Sequence, residues 1–211
     1  MPSRERDDAK PISTVVAEIV QITERVVANW DDGGCAPDDA AKLLRESRLD
    51  RILSLSFTLN LWTSGTTARA QRDGMLILAW ANLGSLVEGW LKLFLCIYLS
   101  DYQHSVSSKR AESIFKRLWE ESKAQAKDAD GLTLESLREF CRAEIWATSS
   151  DTKNWDSWCR HIQERRNAIH AFKDRELGSF EEFQSDIRIF REFLDEITFR
   201  LPDCPDRGDG P

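Results

Sequence analysis

One run of the chain gathers most of the side chains able to do chemistry: Glu164-Arg165-Arg166-Asn167-Ala168-Ile169-His170-Ala171-Phe172-Lys173-Asp174-Arg175. Arginine offers a planar fork of donors that matches phosphate oxygens. Histidine, with an unperturbed pKa of roughly 6.5, takes and returns a proton near neutral pH. If the run continues the helix that begins near Thr152 or Asn154 and reaches about Arg175, at about 100° per residue its inward seam is Trp155, Trp158, Ile162, Ile169 and Phe172. Arg166, His170 and Lys173 then fall at i, i+4 and i+7 along one flank of that seam, with Arg165 on the other flank, about 140° from His170. Two readings follow. Either Arg166 and His170 cap or pair inside a helical core, with Glu88 as a partner, or the stripe borders a cleft and binds a phosphodiester. His161 lies about 180° from His170 and is expected at the surface or between helices. His104 has no visible partner. Trp155 and Trp158 are of a type that stacks bases, but their seam positions point to core packing.

The elements that must position this run are helical. A chain of 211 residues, 41% hydrophobic and 31% charged, is expected to form one domain, or one with a small accessory part, and needs no metal or disulfide to hold its core. Val15, Ile19, Ile22 and Val26 recur at helical spacing after Pro11, and Asp31-Asp32-Gly33-Gly34 is a stop. A second helix is expected from Pro37-Asp38 toward Arg48, and a third from Leu49 to Trp62, before the polar stretch Thr63–Thr67. Met75 to Leu99 is the most apolar stretch. Glu88 and Lys92 in its middle half would each cost about 2.5–3.5 kcal/mol at the centre of a bilayer, and as i,i+4 neighbours they can pair. It is therefore read as the buried central helix of a bundle, with no membrane partner. Further helices are expected over Ser107–Lys127 and Thr133–Trp146. Ser179 and Glu182 form a capping box, followed by Phe180, Phe183, Ile187, Phe190, Leu194, Ile197 and Leu201 at spacings of three and four until Pro202. No segment alternates with period two, so the fold class is all-α, a multi-helix bundle.

Charge and cysteine usage narrow the function classes. The net charge is −7, but Asp31, Asp32, Asp38 and Asp39 hold four negative charges and the tail from Asp203 two more, so the rest of the body is near neutral. A local cationic site is allowed and a broad nucleic-acid footprint is not. Five cysteines (Cys35, Cys96, Cys141, Cys159, Cys204) with no CxxC pair, behind an N-terminus that lacks a secretory leader, are expected to be reduced thiols in a cytoplasmic protein. No Cys–His cluster has metal-ligand spacing, and no Gly-rich phosphate loop or nucleophile elbow appears. Neither a metal nor a cofactor is expected.

An Arg followed after four to six residues by His, on a late helix of an all-α bundle, resembles the HEPN superfamily of small helical domains, many of which are metal-independent ribonucleases. Arg165 with His170 has that spacing. The Arg-Asn pair often seen in the family is here Arg166-Asn167, so either arginine is a candidate for the phosphate. Leu86-Val87-Glu88-Gly89-Trp90-Leu91-Lys92-Leu93 is similar to the earlier core helix of these domains. The likeness implies a HEPN-type domain over 73–202, with extra N-terminal helices over 11–66 and tails at 1–10 and 203–211. It further implies a homodimer whose motifs share one cleft, and an RNA substrate cut to a 2′,3′-cyclic phosphate. Arg165, Arg166, Asn167 and His170 would be the catalytic set, with Glu88 and Lys173 in support. The expected role is a bacterial toxin or antiviral-defence effector, held by an antitoxin or regulatory protein. The competing expectation is a non-catalytic HEPN-like module that binds a nucleotide or a partner protein.

Overall fold

The computed structural model describes residues 10–64, 68–104, 109–116, 119–120, 125–126, 131–146, 154–170 and 174–203. Among these, nine α-helices follow one another: α1 (Ile12–Trp30), α2 (Asp38–Glu46), α3 (Leu49–Thr58), α4 (Arg69–Ile97), α5 (Leu99–His104), α6 (Lys109–Phe115), α7 (Leu134–Glu144), α8 (Trp155–Arg166) and α9 (Phe180–Arg200). Tight 3-10 turns extend α3 over Leu59–Trp62 and α8 over Asn167–Ile169. The all-α multi-helix bundle expected from the periodicities is the fold.

The organising element is α4. Trp80, Leu83, Leu86, Val87, Trp90 and Leu91 are sealed inside the molecule, and the helix packs against α2, α3, α7, α8 and α9. By length and composition alone Ala70–Ile97 is able to cross a membrane, but 56% of its most apolar window is buried within the protein. Its Glu88 and Lys92 also pair with each other, with Lys92 Nζ 3.0 Å from Glu88 Oε1. It is the core helix of the bundle.

The narrow seam of α9 is as the spacing requires: Phe183, Ile187, Phe190, Leu194 and Ile197 have no exposed surface. Against it stand Trp155 and Trp158 of α8, whose rings meet Phe193 edge-on or tilted at 5.5 and 5.2 Å. Burial of each such side chain contributes about 1.5–3 kcal/mol, so the packing among α4, α8 and α9 is a main source of the bundle's stability. Side-chain caps fix where helices begin. Thr133 accepts from the Ser136 N–H, Asn154 from that of Ser157, and Ser179 from that of Glu182, each worth about 1 kcal/mol.

Three expectations need correction. α8 stops at Arg166 rather than Arg175. Residues 167–169 tighten into a 3-10 turn closed by the His170 N–H to the Asn167 carbonyl at 3.2 Å. Asn167 is a weak helix former, and the tighter turn carries Ala168 inward to 5% exposure. The helix expected over Ser107–Lys127 is replaced by short α6 and a two-residue antiparallel ladder, Trp119–Glu120 with Gln125–Ala126. Beyond Trp119 the chain offers no large apolar residue until Leu132, so a helix there has no face to bury. Finally, Cys35 is disulfide-bonded, against the expectation of a thiol, because sequence spacing does not reveal which cysteines the fold brings together. Cys96, Cys141 and Cys159 are buried thiols outside any disulfide, and burial pushes the Cys141 and Cys159 thiol pKa values upward, away from nucleophilic use. Cys204, Phe172, Lys173 and most of both expected tails lie outside the described residues. So does part of the polar stretch Thr63–Thr67.

Candidate functional site

Arg165 and Arg166 end α8, and their side chains leave it toward different neighbours. Arg165 turns to α9 and is 8% exposed. Its Nη2 lies 2.6 Å from Glu182 Oε1 and 3.6 Å from Glu176 Oε1, and its guanidinium carbon sits 5.9 Å from the centroid of the Trp80 ring. Trp80 is itself pinned by its Nε1–H to the Leu177 carbonyl at 2.8 Å. The turn that brings Glu182 here needs Gly178, which has φ +69°. A Cβ at that position would also stand 2.1 Å from Glu182 Oε2. Glu182 thus fills only half of the expected capping box: its N–H is held by Ser179, while its carboxylate is taken by Arg165.

Arg166 turns to α4. Its Nη1 is 2.6 Å from Glu88 Oε2, and Lys92 holds the other oxygen of the same carboxylate. Such close approach depends on Gly84, where a Cβ would come within 2.7–2.9 Å of Arg166 Cδ, Cβ and Cγ. The Arg166 side chain keeps 31% of its surface exposed. It lines a cavity of about 390 Å³ between α2, α3 and α4. Arg48, Arg51 and Lys92 join Arg166 as cations in its wall, against the carboxylates of Glu46 and Glu88.

His170 is exposed at the end of the 3-10 turn. With α8 ended at Arg166, Arg166 and His170 do not share a helical face, and Lys173, the third member of the expected stripe, lies outside the described residues. Asn167 is the half-exposed C-cap of α8. Of the site residues expected from sequence, the fold brings Glu88 to Arg166, sends Arg165 into the α8–α9 seam, and leaves His170 open to solvent.

A second polar cluster was given little weight by sequence reasoning. His161 Nε2 is 3.0 Å from Asp186 Oδ2 and 3.8 Å from Glu182 Oε1. Asp186, 5% exposed, also accepts from Trp158 Nε1 at 2.8 Å. The hydrogen bond to Asp186 raises the His161 pKa, opposed by desolvation and the nearby Arg165 charge. The available signal was a pair of i,i+4 doublets of opposite sign, His161 with Arg165 on α8 and Glu182 with Asp186 on α9, which antiparallel packing zips together. Donor atoms of His161, Glu182 and Asp186 lie within 4.8 Å of one another, close enough for a metal. However, the Arg165 guanidinium on Glu182 already supplies a cation, and Asp186 is taken by the His161 ring and the Trp158 N–H. The cluster is complete as an ion network.

Comparison with protein-family models, with curated proteins and with solved structures finds no match to this chain.

Proposed function

We propose that the chain is a HEPN-type, metal-independent endoribonuclease. Arg166 would hold the scissile phosphate, and His170 would move the proton. The observation that carries this reading is the division of labour at the end of α8. Arg165 is locked into the core by Glu182, whereas Arg166, followed directly by Asn167, is oriented by Glu88 yet partly open to solvent. An exposed His170 lies four residues on. Of the two arginines, only Arg166 is placed to meet a phosphate without breaking the bundle.

In this chemistry the RNA 2′-hydroxyl gives its proton to a neutral His170 as its oxygen attacks the adjacent phosphorus. The P–O5′ bond breaks, a second histidine protonates the departing 5′-oxygen, and a 2′,3′-cyclic phosphate remains. Arg166 offsets the charge that builds on the phosphate oxygens. The second histidine is supplied by another copy of the chain, which is the reason to propose a homodimer. Glu88 is a positioning residue that fixes the Arg166 fork.

A second reading, a non-catalytic module, is favoured by one observation: the described lining of the cavity holds cations and two carboxylates but no histidine, so a phosphate bound there would lie away from the imidazole that the enzyme reading needs. One experiment separates the two. Purified protein is incubated with structured and single-stranded RNA in EDTA, and the ends are mapped. Cleavage to cyclic phosphates, lost by at least about a hundredfold in His170→Ala and in Arg166→Ala but retained in EDTA, supports the enzyme. Cleavage that persists in His170→Ala, or that stops in EDTA, refutes it.

A further inference from the structure

The cavity between α2, α3 and α4 lies beside the proposed cleavage site and has its own chemistry. Its volume of about 390 Å³ falls at the small end of the range of roughly 300–1,000 Å³ typical of small-molecule sites. Arg48, Arg51, Lys92 and Arg166 face Glu46 and Glu88 across it. Even with Arg48 tied to Asp50 by two hydrogen bonds of 2.8 and 2.7 Å, the wall keeps an excess of positive charge. That excess stands out in a chain of net charge −7. One side of the cavity is apolar, with Leu49 and Ile52 of α3 facing Leu93 of α4. The Arg166–Glu88–Lys92 group at its inner edge is mostly shielded from solvent, with side chains 31%, 17% and 18% exposed. Charges there are weakly screened, and a bound anion gains more than it would on an open surface.

We infer that this cavity binds a small phosphomonoester, its phosphate on Arg51, Lys92 and Arg166 and its organic part against Leu49, Ile52 and Leu93. Arg166 belongs to both the cavity and the proposed cleavage site, so one guanidinium cannot hold the ligand and an RNA phosphate at once. The occupant is therefore a competitive regulator of cleavage. This last step rests on the ribonuclease reading; binding itself does not.

The test is calorimetric titration of the full chain with AMP, adenosine and inorganic phosphate at low ionic strength. AMP is expected to saturate one site, with adenosine and inorganic phosphate each at least about tenfold weaker. Arg51→Glu and Lys92→Gln should weaken AMP by roughly ten- to hundredfold, the order expected for losing a hydrogen bond to a charged group. Arg160→Glu, the same charge reversal on the exposed face of α8, should change it less than about twofold. Far-UV circular dichroism confirms that each variant is folded, and either cavity variant suffices should the other unfold. No saturable AMP binding, equal binding of adenosine, equal binding of inorganic phosphate, or equal weakening by Arg160→Glu would each overturn the proposal. In the cleavage assay AMP should raise the apparent KM for RNA without lowering kcat. If RNA is not cleaved at all, the ribonuclease reading fails and the titration still decides the cavity. If RNA is cleaved but AMP does not bind, only the cavity proposal falls.

Discussion

Replacing Arg165 and Arg166 by alanine, one at a time, should give opposite results in stability and function. Arg165 is nearly buried, and its removal leaves Glu182 with the His161 ring at 3.8 Å in place of a guanidinium at 2.6 Å. Breaking a buried ion pair costs about 3–5 kcal/mol. Glu182 is 36% exposed and regains some water, so the cost drops to about 2–3 kcal/mol. For a chain of this length that corresponds to a fall in Tm of about 5–10 °C. Arg166→Ala leaves Glu88 still held by Lys92 at 3.0 Å and removes a side chain that is already about a third exposed. Its cost should be about 1 kcal/mol or less, about 2–4 °C in Tm. Urea unfolding followed by far-UV circular dichroism, with RNA cleavage measured in parallel, reads both. The expected outcome is that Arg165→Ala is unstable yet cleaves RNA while folded, and Arg166→Ala is stable and inactive. Equal destabilisation by the two, or a silent Arg165→Ala, would refute the assignment of Arg165 to structure and Arg166 to the site.

Other outcomes follow from the same geometry. His170→Ala should move the urea midpoint by less than about 0.5 kcal/mol equivalent, as for other exposed residues; a larger loss would show that His170 is a core group. The raised pKa of His161 gives a stability contribution that is full below the unfolded value near 6.5 and is lost as pH rises through the higher folded value. Unfolding curves at acid, neutral and mildly alkaline pH should therefore show a decline over that window in the wild type that His161→Gln flattens, and an unchanged decline in the variant would locate it elsewhere. Gly178→Ala should cost at least about 1–3 kcal/mol, from a left-handed backbone and the collision with Glu182, measured by thermal melting. Gly84→Ala should push Arg166 aside, lowering cleavage more than stability; normal cleavage by that variant would refute the close-approach argument.

How far the fold was legible depends on whether a local pattern determined it. The α9 seam, its Ser179 cap and the stop at Pro202 are local, and all three are where the spacing puts them. The central role of α4 was legible because Glu88 and Lys92 sit four apart in an otherwise apolar stretch, a placement that suits a bundle and penalises a bilayer. The end of α8 was not legible. Helical arithmetic assumes that 100° per residue continues, and nothing in Asn167-Ala168-Ile169 forbids it. What ends the helix is tertiary: Ala168 turns into the core. The His161–Asp186 bond was hidden for a related reason. A reading that follows apolar positions along α9 passes over an acid one residue from Ile187, and only the antiparallel packing of α8 on α9 shows its partner.

The two adjacent arginines show how position alone assigns different work to identical side chains. Neighbours on a helix point about 100° apart, so a helix lodged between two others offers one residue to each. Here α8 lies between α9 and α4. Toward α9 the wall is aromatic, Trp80 of α4 set edge-on against Phe183 of α9, and the Arg165 guanidinium there pairs with Glu182 and sits over the Trp80 ring. On the α4 side the wall is thinned by Gly84, so Arg166 lies flat along the helix and reaches Glu88 at the edge of a cavity. The sequence spacing to His170 favours Arg165, and the Arg-Asn pairing favours Arg166. Burial separates them, because the Arg165 side chain is 9% exposed and the Arg166 side chain 31%, so a phosphate could reach Arg165 only by opening the seam. The Arg166 fork spends Nη1 on Glu88 and can turn its remaining nitrogens to a phosphate while Glu88 holds it in place. That reach is what both the proposed RNA cleavage and the proposed occupancy of the cavity rest on.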